Sequence, residues 1–307
     1  MREIMSAIKS AEYTNGVAWG DVVTFIMDMH REKFDVSSIT EDVNHAEEMY
    51  KKKLLLGSMR TLQWQRGILQ HELRSYNCAA TPIDRLRVFQ EMMYVLLCGA
   101  GAGYSLLPRF INKIPPFMPR TGEKIVYTVL DSIEGWSTSI GVLIDSYANP
   151  ASVYFQKQVV FDYSQIRPKG ALIAGRFKAP GPSALVLCHE RMVTLIDARL
   201  KESVYLRAID YHELICMIAD AVISGGVRRS ALIALFDPSD VEMKACKTGN
   251  WYETKPYLAR ANNSGVFVRG QYTREDVREF EQYVKDFGEP GYIFVDSPYH
   301  LTNPLCA

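Results

Sequence analysis

Long apolar runs are missing from this chain. Nowhere do the roughly 18 consecutive apolar residues needed to cross a bilayer occur, so no membrane-spanning helix is expected. The start, Met1-Arg2-Glu3-Ile4, lacks the apolar stretch of a secretory leader. An excess of charge is missing too: Lys plus Arg and Asp plus Glu each total 35, so no global field draws the protein to nucleic acid or to an anionic membrane. The six cysteines, at 78, 98, 188, 216, 246 and 306, show neither paired metal spacing nor the density of a disulfide scaffold. The histidines suggest no Ser-His-Asp order, and His71, His189 and His212 have no metal-ligating partners at helical spacing. Internal repeats, low-complexity tracts and linkers are likewise absent. These absences lead us to expect a reduced, cytoplasmic, soluble protein.

What is present is an ordinary globular balance, 48% apolar and 23% charged over 307 residues, enough for one large or two ordinary domains with a sizeable core. The first 75 residues read as helical. Val22, Val23, Phe25, Ile26 and Met29 form an apolar face behind Asp21, a candidate cap, and a second helix is expected from about Asp42 to Leu55 with a solvated charged face. From residue 76 onward helices alternate with short apolar runs, the pattern of a mainly parallel α/β sheet or barrel. Helices are expected over Asp84–Cys98, Tyr211–Ser224 and Arg274–Phe287, and strands at Tyr104–Leu107, Ala231–Leu235 and Ile293–Val295.

Several segments can carry chemistry. Gly99–Gly103 follows a helix, not a strand, and lacks the spacing of a dinucleotide or phosphate-loop fingerprint, so close backbone packing is its expected role. Gly225–Ser230 joins two glycines to Arg228 and Arg229, whose planar donor forks suit phosphate or base edges; an ordinary helix-to-strand turn reads equally well. Arg167, Lys169, Arg176 and Lys178, in Gly/Pro loops, suit an anion or solvent. Asp131–Trp136 offers a carboxylate and a hydroxyl to a ligand, or starts a helix capped by Asp131. Cys98, Cys188, Cys216 and Cys246 fit buried small hydrophobes. Cys78, in Tyr76-Asn77-Cys78, and Cys306, in Asn303-Pro304-Leu305-Cys306, instead lie near an asparagine at strand–loop junctions.

Taken in order, these motifs resemble the catalytic chain of ribonucleotide reductases, most closely the adenosylcobalamin-dependent (class II) branch. Those that carry the resemblance are Gly57-Ser58-Met59-Arg60-Thr61-Leu62-Gln63, Asn77-Cys78, Met93 to Ser105, Asp131 to Trp136, Ile166 to Gly170, Gly181-Pro182, Gly225 to Ala231, Ala261-Asn262-Asn263-Ser264 and Gly288-Glu289-Pro290-Gly291. The resemblance implies an α/β fold: a helical extension over residues 1–75, then over 76–307 the first part of a ten-stranded α/β barrel, of the type shared with glycyl-radical enzymes, up to a finger loop.

It further implies that Cys306 is the thiyl residue, Asn303 the loop amide that binds the ribose, and Cys78 the first of two reducing cysteines. Asn77 and Arg228 would meet substrate. Asp131, Ser132 and Ile133 would hold a deoxynucleoside triphosphate effector, with Lys169, Arg176 and Lys178 on its phosphate side and Gly226 and Arg229 in the loop that relays effector identity. The cofactor implied is adenosylcobalamin, with no protein ligand to cobalt in this segment. Implied partners are a ribonucleotide, tri- or diphosphate, and a thioredoxin-type reductant. A second polypeptide is also implied, carrying the second reducing cysteine, the finger-loop glutamate and most of the substrate phosphate site; a truncated chain fits as well. The family's finger loop reads Asn-x-Cys-x-Glu, so Leu305 is one residue too many. The alternatives are a class I large-subunit fragment, disfavoured by the lack of a long regulatory extension before Cys78, and a nucleotide-binding remnant without catalysis.

Overall fold

Residues 14, 16–65, 68, 72–173, 177–223 and 231–305 are described by the structure, a computed structural model. The chain divides into two compact units, Met1–Asn77 and Cys78–Ala307.

The first unit holds helices α1 (Trp19–Lys33), α2 (Thr40–Lys51) and α3 (Met59–Trp64). The helical spacing of its apolar residues puts Val22, Val23 and Ile26 into a small core with Tyr50 and Leu62. The Trp19 indole N–H donates to the Tyr50 carbonyl at 3.1 Å, and Arg31 and Lys51 converge on Glu47, each at 2.6 Å. Two expected boundaries shift. Asp21 is not the cap: α1 begins at Trp19 with Ala18 in the cap position, and Asp21 lies in the first turn, where its charge complements the helix dipole. α2 stops at Lys51 because Lys53 turns left-handed, with φ 58°.

The second unit runs β1 (Cys78–Pro82), α4 (Val88–Leu97), β2 (Gly101–Ser105), α5 (Pro108–Ile111), β3 (Lys124–Thr128), α6 (Ile133–Ala148), β4 (Gln158–Asp162), β5 (Leu172–Ile173), β6 (Phe177–Lys178), α7 (Ser183–Arg199) and α8 (Ala208–Ile223). It continues with β7 (Leu232–Phe236), α9 (Val241–Ala245), α10 (Trp251–Thr254), β8 (Ala261–Val268), α11 (Arg274–Glu281) and β9 (Gly291–Val295). Five strands form an all-parallel sheet in the order β1-β2-β7-β8-β9, as the alternating pattern leads one to expect. β2 and β7 are neighbours, and the long connection between them holds an insertion, a parallel ribbon of β3 and β4, a short β5–β6 hairpin and the two long helices α6 and α7, before α8 leads back into the sheet.

Alternation along the strands sorts side chains onto two faces. Ala102, Tyr104, Leu232, Ala234, Phe236 and Phe267 enter the large core beneath the helices; Ile233, Leu235, Val266, Val268 and Val295 form a smaller cluster on the other face. That second face also carries Cys78, Gly101, Gly103, Ser105 and Asn262, by the register Cys78↔Gly101, Gly103↔Ile233 and Ile233↔Asn262.

α4 forms because Val88, Phe89, Met92, Met93, Leu96 and Leu97 repeat at helical spacing, and it ends where Gly99 takes φ 86°. It starts later than Asp84, since the Arg85 guanidinium bonds Asp84, Thr81 and Glu91 and holds residues 84–87 as a turn. α8 starts earlier than expected, its first turn held by Asp210, whose carboxylate accepts from the Arg207 backbone N–H at 2.8 Å. α11 carries a Thr273–Asp276 capping box and passes after Glu281 into tighter i to i−3 turns before Phe287. The expected strand at Tyr104–Leu107 lies earlier, because Gly101 and Gly103 belong to the strand and are not part of the helix-ending turn.

Candidate functional site

Cys78 opens β1, half-buried on the face away from the helices. Its strand partner Gly101 marks a meeting point. A Cβ built on Gly101 would lie 3.2 Å from the Ala231 carbonyl oxygen, 3.3 Å from Pro304 Cγ and 3.5 Å from Cys78 Sγ. The segment Thr302–Pro304 crosses the same face at Gly103, where an added Cβ would overlap the Thr302 carbonyl and lie 3.1 Å from Asn303 Cα. The structure therefore brings the approach to Cys306 beside Cys78, 220 or more residues away in sequence. Asn303 is half-buried, and its Oδ1 accepts from the Leu305 backbone N–H at 2.9 Å; Leu305 itself is 71% exposed. Cys306 lies outside the described residues.

Asn77 belongs to the other unit, where its Oδ1 accepts from Arg60 Nε at 2.9 Å. Gly226, Arg228 and Arg229 lie outside the described residues. The anchor that follows them is described: the Ala231 carbonyl accepts from Ala102 N–H at 2.9 Å, directly beside Gly101.

The second group of candidates gathers at the start of α6. Ser132, not Asp131, is the cap: its Oγ accepts from Gly135 N–H at 2.9 Å. Gly135 is required there, since a Cβ would overlap the Leu130 carbonyl. Asp131 is thereby released to accept from Arg167 Nε, 36 residues on. This contact sets the loop of Lys169 beside Asp131, Ser132 and Ile133. Lys169 is exposed, and a Cβ on Gly181 would come 2.9 Å from its backbone nitrogen, so the loop folds back on Gly181. Lys178 pairs with Leu172 in the hairpin, its side chain outside the described set, as is the whole of Arg176.

The other cysteines fit the packing role. Cys98, Cys188 and Cys216 are buried and Cys246 is half-buried; burial pushes the Cys188 and Cys246 thiols up to about 12 and the Cys216 thiol higher still. Under β2, Tyr104 Oη meets His212 Nδ1 at 2.7 Å with Cys216 beside them, and burial pushes His212 down to about 3. His189 lies stacked on Phe161, bonded to Tyr163 Oη at 2.7 Å and Ser139 Oγ at 3.1 Å, and is also pushed down to about 3 by burial. These are neutral, satisfied core histidines. A cavity of about 150 Å³ beside α8 is lined by Arg191 and Arg260, but both guanidiniums are engaged by Asp220, at 3.1 and 2.9 Å. Among the described residues no His/Cys/Asp/Glu cluster could hold a metal ion, and no helix is long and apolar enough to cross a membrane.

Sequence reasoning gave no role to Ser105 and Asn262, though both lie in motifs that carry the resemblance, and it missed Tyr299 and Thr302. Ser105 is fully buried with its Oγ unpartnered, and Asn262 is exposed on the Cys78 face. Period-two alternation applied to β2 and β8 would have placed both with Gly101. Nothing local marks Tyr299 or Thr302.

Three comparisons bear on this arrangement. The family model described as "B12-dependent ribonucleotide reductase, insertion domain" matches residues 115–196, which hold β3, α6, β4, the hairpin and most of α7. A solved class II, B12-dependent ribonucleotide reductase superposes with a TM-score of 0.73 at 19% identity, covering 92% of this chain and 47% of that one, which shows the fold. The adenosylcobalamin-dependent ribonucleoside-triphosphate reductase of Levilactobacillus brevis is 32% identical over 67% of this chain and 31% of its own length; that of Lactobacillus gasseri is 26% identical over 67% and 32%.

By these likenesses the chain resembles a portion of the class II, B12-dependent ribonucleotide reductases. It spans about a third of the length of the curated relatives it matches. The insertion-domain match favours the class II reading over the class I one.

Proposed function

We propose that this chain carries the thiol-bearing part of an adenosylcobalamin-dependent ribonucleoside-triphosphate reductase. The observation that carries the reading is the convergence of Cys78 and Pro304 on Gly101, a cysteine and the approach to a second cysteine on one face of a parallel sheet. In this reading the sheet is one five-stranded half of the family's ten-stranded barrel. The Thr302–Leu305 segment leads into the finger loop, and a further polypeptide segment completes the barrel.

Adenosylcobalamin, when bound, supplies the organic radical. The residues of this chain then divide the work. Cys306, as a thiyl, takes the 3′ hydrogen of the ribose and later returns it. Cys78, with a second thiol from the rest of the barrel, supplies two electrons and two protons. The 2′ hydroxyl leaves as water, a C2′–H bond forms and the thiols close to a disulfide, which an external thioredoxin-type dithiol reopens by exchange. In the completed barrel the depth of Cys78 would shield these steps from water. The turn that Asn303 closes on the Leu305 N–H would take up the additional residue before Cys306, and in this reading the Asn303 amide meets the ribose.

In the same reading Asp131, Ser132 and Ile133 hold the effector's base and sugar, with Lys169, Arg176 and Lys178 on its phosphate side. The support is the Asp131–Arg167 pair, which joins those two segments. The loop of Gly226, Arg228 and Arg229 relays effector identity, and Arg228 contacts the substrate base.

The test is reconstitution. The chain is mixed with a polypeptide supplying the remaining length of the relatives, adenosylcobalamin, a ribonucleoside triphosphate and a dithiol, and deoxynucleotide is measured. Cys78→Ser is expected to abolish turnover while labelled deoxynucleoside triphosphate still binds. Effector binding without any product from the unsubstituted chain would favour the non-catalytic reading.

A further inference from the structure

We propose that Gly103, backed by Gly101, is a positioning residue: the bare backbone of β2 is the seat that fixes where Thr302–Pro304 passes, and so how closely that segment approaches the Cys78 sulfur. The proposal rests on the reading above only for the purpose of that approach.

Neither glycine has a left-handed φ, so the requirement is for space and not for backbone conformation. Gly101 opens and Gly103 lies inside a strand paired on both sides, where glycine gives up packing and chain entropy without local benefit. The space is filled by the chain itself. At Gly103 an added methyl would overlap the Thr302 carbonyl oxygen and come 2.8 Å from its carbon, both backbone atoms that no rotamer change can move. Restoring normal contact there demands a displacement on the order of 1.5 Å. At Gly101 the closest atoms stand at 3.2 to 3.5 Å, so a few tenths of an ångström suffice. Ala102 between them carries its methyl into the helix-side core and meets no such limit.

The segment is also held from its other end. The Tyr299 ring lies 4.6 Å beneath the Arg109 guanidinium and 6.1 Å edge-on from Phe110, both on α5 just beyond β2. From that anchor the chain runs back along β2 over Gly103, with Thr302 only 9% exposed, to Pro304 at the Cys78 end.

The test compares Gly103→Ala, Gly101→Ala and Tyr299→Ala with the unsubstituted chain by hydrogen exchange and by iodoacetamide alkylation of Cys78, both read by peptide mass spectrometry. Gly103→Ala is expected to speed exchange over residues 300–305 on the order of tenfold and to speed Cys78 alkylation, with exchange in β7 and β8 unchanged. Gly101→Ala should act in the same direction but more weakly. Tyr299→Ala frees the segment without touching the sheet and should also expose Cys78. A Gly103→Ala chain with an intact sheet and unaltered Cys78 labelling overturns the proposal. If Gly103→Ala unfolds the sheet, unchanged Cys78 labelling in Tyr299→Ala overturns it instead. Neither readout needs turnover, so failure of the reductase reading leaves the seat standing, and failure of the seat leaves the reductase reading to its own assay.

Discussion

At the scale of single residues, Asp131 separates two kinds of importance. Its pair with Arg167 is partly exposed, at 27% and 38% of the two side chains, so water screens the attraction and the pair contributes only about 0.5 kcal/mol to folding. Ser132, by contrast, satisfies a helix-end N–H, and Ser132→Ala is expected to cost about 1 kcal/mol in urea unfolding. If Asp131 holds the sugar and base of an effector, Asp131→Ala should leave unfolding nearly unchanged yet weaken deoxynucleoside triphosphate binding on the order of tenfold or more, about 1.4 kcal/mol. Equilibrium binding of a labelled triphosphate checks this, and unaltered affinity would remove Asp131 from the site. The sequence displayed both Asp131 and Arg167 as candidates. Their meeting was not legible, because 36 residues separate them and no periodic pattern links a helix start to a distant loop.

At the scale of elements, the parallel sheet was legible because β7 and β9 are apolar runs bounded by turns and helices. β2 was only half legible. Its Gly-Ala-Gly start has poor strand propensity, and the reason it is a strand is tertiary: neighbouring strands pair with it on both sides and a chain segment occupies the room its glycines leave. Lys247 was not legible at all. It is 7% exposed and lies just after α9, yet its ammonium reaches the Ala261 carbonyl at the start of β8 and Glu289 Oε2, at 2.5 Å, just before β9. The ammonium thus ties together the entrances of two neighbouring strands. Lys247→Met removes the cation from Glu289 and a donor from Ala261, and is expected to destabilise the unit by about 2 kcal/mol, less than for a fully buried pair because Glu289 is 26% exposed. Arg278→Ala, which breaks a pair exposed at 62% and 79%, should change stability by no more than about 0.5 kcal/mol. Equal effects of the two in urea unfolding would show that Lys247 is not the tie.

For the molecule as a whole, the insertion between β2 and β7 divides the second unit into a sheet layer and an added layer, and each is built around one neutral histidine. His212 lies under β2 beside Tyr104, and His189 lies between the helices and the β3–β4 ribbon, stacked on Phe161. The sequence showed only that these histidines had no metal partners; their burial depends on long-range packing that no local spacing encodes. The consequence is a pH dependence with a definite sign. Burial lowers both pKa values to about 3 in the folded chain, whereas in the unfolded chain they return to near 6.5. The unfolded state therefore takes up protons first as pH falls. The stability carried by the neutral rings is fully present above about 6.5 and is lost progressively as pH falls toward 3. Asp162 and Asp276, held below the usual carboxylate range by backbone N–H groups of Ser164 and Thr273, stay ionised between about pH 6.5 and 5 and so add nothing to the slope in that window. Each histidine should contribute a slope approaching 1.4 kcal/mol per pH unit there, a figure of order-of-magnitude standing. Urea unfolding at half-unit steps from pH 7.5 to about 5 measures it. Replacing His212 with Asn will lower stability at neutral pH, because Tyr104 loses its partner, but it should also flatten the slope by about one proton. A His212→Asn chain that keeps the full slope would mean that this ring is already charged in the folded state, and the Tyr104–His212 contact would then have to be read as an ionic site instead of a packed, neutral one.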